Sequence, residues 1–234
     1  TVRRRQEPDG HPEHAGAAPA AGLLHLLPGA IDDHVHFRDP GYPQKEDFAS
    51  GTVAAAFGGV TTIFDMPNTL PPVDSGEVLA AKLAMAAEKA HVDFGLYAVL
   101  GDSSVDRVDE LIQAGAIGFK LYMGNTFGAI PSPDTGAMLE AFEVAATTGK
   151  RVSLHAETNE IMVRRELRMR EAGRTDPLAH IASRPAVVAV EAEVVHFVFS
   201  SRSSNRIQLA LFLILCFHRC VFTHCSCNSR STNL

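Results

Sequence analysis

Residues 28–41 read PGAIDDHVHFRDPG, an apolar run that leads into two histidines separated by a single residue. The run predicts a β-strand, and alternate side chains of a strand point to the same face. His34 and His36 are therefore placed to bind one metal ion together. The pattern HxH also occurs on exposed edge strands, so two surface histidines are the competing interpretation.

Strands and helices alternate regularly downstream of this segment. Residues 46–57 have helical spacing that stops at Gly58 and Gly59, and Ser75 is the predicted N-cap of the next helix. Strands are predicted at 60–66, 92–101, 116–123 and 151–157, with further helices at 75–90, 104–115, 132–149 and 159–173. This alternation predicts a parallel sheet with helices outside it. A doubly wound open sheet and a barrel both satisfy the pattern.

The chain divides into three segments by composition. Residues 1–27, rich in Pro, Gly, Ala, His and charge, predict a loose leader, and residues 28–195 carry the strand–helix alternation. Residues 196–234 contain no Gly and no helix caps, which predicts an atypical tail outside the fold. Sequence not selected for folding is the favoured interpretation, ahead of a tail anchor or a Cys/His metal knot. The apolar residues 207–217 are fewer than the about 20 that a membrane span needs.

Composition limits the class of protein. The chain has 234 residues and a net charge of −6, and this acidic balance argues against a nucleic-acid-binding surface. This length is short for a complete (β/α)₈ barrel, which typically needs about 250 residues. The body contains no cysteine, because all the cysteines lie in the tail, at Cys216, Cys220, Cys225 and Cys227. We therefore expect a cytoplasmic enzyme without disulfides and without a nucleic-acid or membrane partner.

Two further residues at predicted strand ends carry chemistry. Lys120 lies in the apolar run IGFKLYMG, where burial would favour a neutral amine that can react with carbon dioxide. A lysine that extends past the strand end to solvent is the competing interpretation. His155 ends the short strand VSLH, and a structural histidine is the alternative there. Strand ends converge in a barrel, which favours a shared site.

These segments in order resemble consecutive blocks of the cyclic amidohydrolase superfamily, the group of dihydroorotases, hydantoinases and allantoinases. The matching blocks are residues 28–41, 46–69, 118–123 and 154–157, and residues 173–185 resemble the segment after the fifth strand in hydantoinases and allantoinases. The resemblance covers residues 28–195, the N-terminal part of the family alone. It implies a (β/α)₈ TIM barrel that is incomplete here, with about five to six β/α units.

The resemblance implies a binuclear zinc site. His34 and His36 would bind the first zinc ion, and His155 would bind the second. Lys120, carboxylated on its amine, would bridge the two ions. Such a pair of ions polarises an amide carbonyl and activates a hydroxide that opens the ring of a cyclic amide.

The resemblance also bears on the substrate. In dihydroorotases the equivalents of Arg38 and Asn68 hold the substrate carboxylate, and an arginine can do so through two parallel hydrogen bonds. These residues favour conversion of dihydroorotate to N-carbamoyl-aspartate. The blocks at 118–123 and 173–185 favour allantoinase or hydantoinase (dihydropyrimidinase) activity instead. From the residues alone, Arg38 could pair with a neighbouring aspartate and Asn68 could shape a turn.

The chain departs from the family after its fifth strand. The family has a metal-binding histidine on the sixth strand and a catalytic aspartate on the eighth, and neither is found here, so no catalytic residue is assigned. The chain is therefore predicted to be truncated, poorly soluble and inactive as written, with a full-length parent that is a homo-oligomer. A non-catalytic amidohydrolase-like scaffold is the alternative function.

Overall fold

Five parallel strands form one sheet in the order in which they occur along the chain. The computed structural model describes residues 27–125 and 130–202, with the backbone alone beyond residue 194. The strands are β1 (Ala30–Val35), β2 (Val60–Asp65), β3 (Asp93–Val99), β4 (Gly118–Tyr122) and β5 (Arg151–His155). A doubly wound sheet reverses its strand order at a switch point. The sequential order of the described strands is instead that of an arc of a (β/α) barrel.

Helices connect and follow the strands. They are α1 (Phe48–Phe57), α2 (Gly76–Lys89), α3 (Val108–Ala114), α4 (Thr135–Thr148), α5 (Asn159–Glu171), α6 (Pro177–Ser183) and α7 (Ala186–Arg202). The side chains of Asp47, Ser75 and Asp134 cap α1, α2 and α4 by accepting a hydrogen bond from the backbone N–H three residues later. Gly115 and Gly149 end α3 and α4 with φ of 108° and 67°, which glycine adopts without strain.

The two faces of the sheet have different roles. Ile63, Leu96, Phe119, Leu121 and Val152 point to one face and belong to the main hydrophobic core, together with side chains of the helices. Burial of each such side chain contributes about 1.5–3 kcal/mol, so this face holds the helices against the sheet. Residues one position along each strand point to the opposite, inner face. That inner face is where the candidate site lies.

The structure refines three of the sequence predictions. The predicted helix at 104–115 is a 3₁₀ turn (Val105–Arg107) followed by the shorter α3. Helix α6 was not predicted, and the proposed boundary between residues 195 and 196 falls inside α7, whose backbone stays helical to Arg202. Residues 1–26 and 203–234 lie outside the described part, so the leader and the tail stay predictions. Within the described residues, no helix is long and apolar enough to cross a membrane.

Candidate metal centre

The carboxyl ends of β1, β4 and β5 bring together the side chains that the sequence singled out. His34 lies on β1 and His36 directly follows it, and their ring centroids are 5.1 Å apart. Lys120 lies on β4 and His155 ends β5. Tyr122 lies beside both of them, with its ring 5.4 Å from Lys120 Nζ and 6.2 Å from the ring of His155. Barrel enzymes place their chemistry at this end of the strands.

Both histidines of the HxH pair are neutral at neutral pH. Burial, followed by the charges of Lys120 and His155, lowers the pKa of His34 to about 4. Burial, followed by the charges of Arg38 and His34, lowers the pKa of His36 to about 3. A neutral imidazole keeps a lone pair on one ring nitrogen, which is the form that binds a metal ion. The half-buried position of both rings does not fit two freely exposed surface histidines.

Asn68 determines which nitrogen of His36 is available. His36 Nδ1 lies 2.8 Å from Asn68 Oδ1, and an amide oxygen only accepts hydrogen bonds, so Nδ1–H is the donor. The lone pair of His36 is therefore on Nε2. An outer partner of this kind orients a metal-binding imidazole and fixes its tautomer.

Lys120 is a buried amine without a carboxylate partner. Its side chain is 2% exposed, and burial lowers the pKa of Lys120 to about 7. Within the described residues, no carboxylate lies within ion-pair distance of its Nζ. A substantial fraction of Lys120 is therefore the neutral amine at neutral pH, and this form can react with carbon dioxide. Its burial excludes the interpretation of a lysine that extends to solvent.

His155 contacts a carboxylate from its own strand end. Its Nε2 lies 2.8 Å from Oε2 of Glu157, two residues further along the chain. Burial acts to raise the pKa of Glu157, but the hydrogen bond from His155 and the charges of His155, Arg184 and His180 together lower it. Glu157 is therefore a carboxylate that accepts from His155, a partner that the sequence analysis did not identify.

Tyr122 places a hydroxyl without a partner in the same region. The side chain is 2% exposed, and its hydroxyl has no hydrogen-bond partner among the described residues. Burial is the main cause that raises the pKa of Tyr122, so the group is a neutral phenol that can donate. A buried polar group without a partner costs about 1–3 kcal/mol, and such groups are frequent where a ligand supplies the missing contact.

Arg38 and Asn68 are also brought together, beside His36. An Nη1–H of Arg38 donates to the backbone oxygen of Asn68 at 3.2 Å. Asp39 forms an ion pair with Lys89 at 2.7 Å, which gives that neighbouring aspartate a different partner. Arg38 has a φ of 61°, in the left-handed region that side chains with a Cβ seldom adopt. Burial is the main cause that lowers the pKa of Arg38, and the group remains a cation.

A buried ion pair supports the loop that carries these residues. Asp65 at the end of β2 accepts a hydrogen bond from the backbone N–H of Phe37 at 2.9 Å. Its other oxygen forms an ion pair with Lys82 Nζ at 2.6 Å, and this Nζ donates a hydrogen bond to the backbone oxygen of Met66 at 3.1 Å. Sequence analysis missed this pair. The available clue was the helical spacing of Lys82 with Leu79 and Ala86 on the buried face of α2.

The donor set is chemically suited to a divalent metal. The described residues contain no group of three or more His, Cys, Asp or Glu side chains close enough to hold an ion. As an amine, Lys120 is not one of these residue types. Once carboxylated, it supplies two carboxylate oxygens beside His34. Two neutral imidazoles, this carbamate and a third imidazole are ligands that zinc and similar ions accept.

Known proteins are similar to this chain in both sequence and fold. The profile of the Amidohydrolase family matches residues 25–230. An allantoinase from Rubrobacter xylanophilus is 43% identical over 175 residues, covering 74% of this chain and 38% of that protein. A dihydroorotase from Methanothermobacter thermautotrophicus is 39% identical over 160 residues, covering 68% of this chain and 35% of that protein.

A solved hydantoinase structure superposes on the described fold. The L-hydantoinase (dihydropyrimidinase) from Arthrobacter aurescens superposes with a TM-score of 0.72 at 30% identity, covering 78% of this chain and 40% of that one. The predicted incomplete (β/α)₈ TIM barrel is confirmed. The chain spans 35% to 40% of the length of these relatives. With the profile match over most of its residues, the chain belongs to the amidohydrolase family.

Proposed function

We propose that this chain supplies the metal-binding part of a cyclic amidohydrolase, an enzyme that hydrolyses a C–N bond within a cyclic amide. The observation that carries the proposal is Lys120, a buried amine with no carboxylate partner among the described residues. It lies on the inner face together with His34, His36 and His155. Family membership supports hydrolytic chemistry at this site.

In this proposal the residues hold two zinc ions. His34, His36, His155 and a carboxylated Lys120 would hold these ions. When bound, the ions polarise the amide carbonyl and supply a nucleophilic water near neutral pH. Asn68 keeps His36 in the tautomer that leaves Nε2 available.

Carboxylation of Lys120 is the covalent step that prepares the site. The neutral amine attacks carbon dioxide, a C–N bond forms, and one proton leaves to solvent. The product is a carbamate with a single negative charge. Burial favours the step by keeping much of Lys120 as the unprotonated amine. A bound cation would offset the cost of the buried negative charge.

Dihydroorotate is the proposed substrate, because Arg38 offers a cation that can bind its carboxylate. Opening its ring gives N-carbamoyl-aspartate. Allantoin is the second candidate, followed by hydantoins and dihydropyrimidines. The similarity to an allantoinase favours allantoin.

Substrate binding separates these candidates. No general acid–base residue is assigned, so we predict no turnover by this chain. The test therefore measures substrate binding, by calorimetric titration of the zinc-loaded chain. We expect dihydroorotate to bind, and Arg38→Gln to weaken it roughly ten- to hundredfold through loss of charged hydrogen bonds. Arg168→Gln, a change at an exposed arginine of α5, is the control and should leave binding unchanged. Tighter binding of allantoin, insensitive to Arg38→Gln, would instead select the allantoinase function.

A further inference from the structure

The hydrogen bond between His155 and Glu157 has a consequence for the site, provided that His155 binds metal as proposed above. We infer that Glu157, held by Arg184, is a positioning residue that presents the Nδ1 atom of His155 to the metal. The inference assigns a role to a carboxylate and an arginine that lie beside the proposed ligands and bind no ion themselves.

The tautomer follows from the contact. A carboxylate has only acceptor atoms, and Glu157 Oε2 lies 2.8 Å from His155 Nε2, so Nε2 carries the proton and donates. With Nε2 protonated, Nδ1 is the ring atom that can bind a metal ion. Without Glu157 the ring would be free to rotate or to present either nitrogen. Carboxylate–histidine–metal arrangements fix the ring orientation and raise the basicity of the ligand in this way.

Arg184 forms an ion pair with Glu157 from the side of the helices. Its Nε lies 3.8 Å from Glu157 Oε2, and its Nη2 lies 2.8 Å from Oε1 of Glu166 on α5. Its Nη1 donates to Ser183 Oγ and lies 3.0 Å from Nδ1 of His180, both on α6. The side chain is 18% exposed, so these contacts are partly shielded from solvent.

This network joins two segments that lie apart in the sequence. Glu157 belongs to the block LHAE at the end of β5, and Arg184 belongs to the segment AHIASRP that contains α6. One guanidinium forms ion pairs with the carboxylates of Glu157 and Glu166, so it offsets part of the negative charge beside His155. The segment after the fifth strand therefore supports a metal ligand rather than serving as a connection alone.

The first test observes the hydrogen bond without metal. In the metal-free full chain, an imidazole N–H that is held by a carboxylate exchanges slowly enough for its proton to appear in the NMR spectrum of ¹⁵N-histidine-labelled protein. We expect this signal for His155, assigned by its loss in His155→Ala. Glu157→Ala should abolish the signal, and Glu157→Gln, which keeps an acceptor oxygen, should retain it. A signal that survives in Glu157→Ala, or that is missing in the unaltered chain, overturns the inference.

The second test measures zinc affinity by competition with a chelator. We expect Glu157→Ala to weaken binding roughly ten- to hundredfold, Glu157→Gln to bind more tightly than Glu157→Ala, and Arg184→Gln to weaken binding less than Glu157→Ala. Glu171→Ala, at the exposed end of α5, is the matched control and should bind as the unaltered chain does. Equal affinity of Glu157→Ala and the unaltered chain overturns the inference. If the unaltered chain binds no zinc, the proposed function fails, whereas the NMR signal tests the contact of Glu157 with His155 independently of metal.

Discussion

Two buried lysines of this chain have opposite environments. Lys82 is 1% exposed, and its Nζ lies 2.6 Å from a carboxylate oxygen of Asp65. Lys120 is 2% exposed and has no carboxylate at that distance among the described residues. A buried charge is costly unless it is paired, so Lys82 fits a structural role. Lys120 is destabilising as it stands, which is a common property of functional groups.

The pairing of Lys82 predicts its contribution to stability. Lys82→Met leaves the Asp65 carboxylate buried without its partner and should lower the free energy of unfolding by about 3–5 kcal/mol, measured by urea denaturation. The double variant Lys82→Met with Asp65→Asn removes the charge and keeps an acceptor for Phe37 N–H, so it should recover part of the loss. A loss below about 1 kcal/mol in the single variant would contradict the structural role.

Removal of Lys120 should have the opposite effect on the free energy of unfolding, and this effect should depend on pH. The pKa of Lys120 in the folded chain is about 7, below the ordinary value of 10.5, so folding disfavours the charged amine. The resulting penalty is fully present below pH 7, fades as the pH rises toward 10.5, and is at most about 5 kcal/mol.

Lys120→Met should therefore be more stable than the unaltered metal-free chain at pH 7, and this advantage should shrink as the pH rises to 10. Urea denaturation in chelator-treated buffers depleted of carbon dioxide measures both curves. Curves that stay parallel over this pH range would refute the assignment of an unpaired amine.

Sequence predicts some site residues better than others for a physical reason. His34 and His36 are separated by one residue at the end of β1, and their rings lie 5.1 Å apart, so their proximity is readable from local spacing. The contacts Glu157–Arg184 and Asp65–Phe37 N–H join residues 27 and 28 positions apart, respectively, and depend on tertiary packing. The local pattern therefore identified the side chains proposed to bind metal, but not the groups that contact and support them.

At the scale of the elements, α1 begins directly after the loop that carries Arg38. Asp47 caps it by accepting a hydrogen bond from Ser50 N–H at 2.7 Å. Asp47→Ala should lower the free energy of unfolding by about 1 kcal/mol, whereas Asp47→Asn, also a good capping residue, should change it little. Chemical denaturation at neutral pH measures both variants. The control is Glu143→Ala at an exposed position of α4, and an effect of Asp47→Ala no larger than this control would contradict the capping role.

Element boundaries were predictable where a local signature marks them. Gly115, Gly149 and Ser75 end or begin their helices as predicted, because left-handed backbone and side-chain capping depend on single residues. Helix α6 was missed although Asp176 followed by Pro177 is itself a helix-start signature. Its short length and the surrounding charges hid the apolar periodicity on which the prediction of helices relied.

At the scale of the whole molecule, strand order was the decisive information. Alternation of strands and helices left two architectures open, and only the pairing of β1 through β5 in sequence order distinguishes them. β1 and β5 are the outer strands of the described sheet, which is the physical basis of the predicted poor solubility. Cytoplasmic location, the homo-oligomeric parent and the absence of nucleic-acid partners stay predictions.

The central claim is that His34, His36, Lys120 and His155 form one metal centre, and zinc content per chain tests it most directly. Elemental analysis of the purified full chain should give about two zinc ions, falling sharply in Lys120→Ala. His91→Ala, which removes an exposed histidine, is the control for adventitious binding and should keep the full content. A folded chain without zinc, or with zinc that Lys120→Ala leaves unchanged, would contradict the claim.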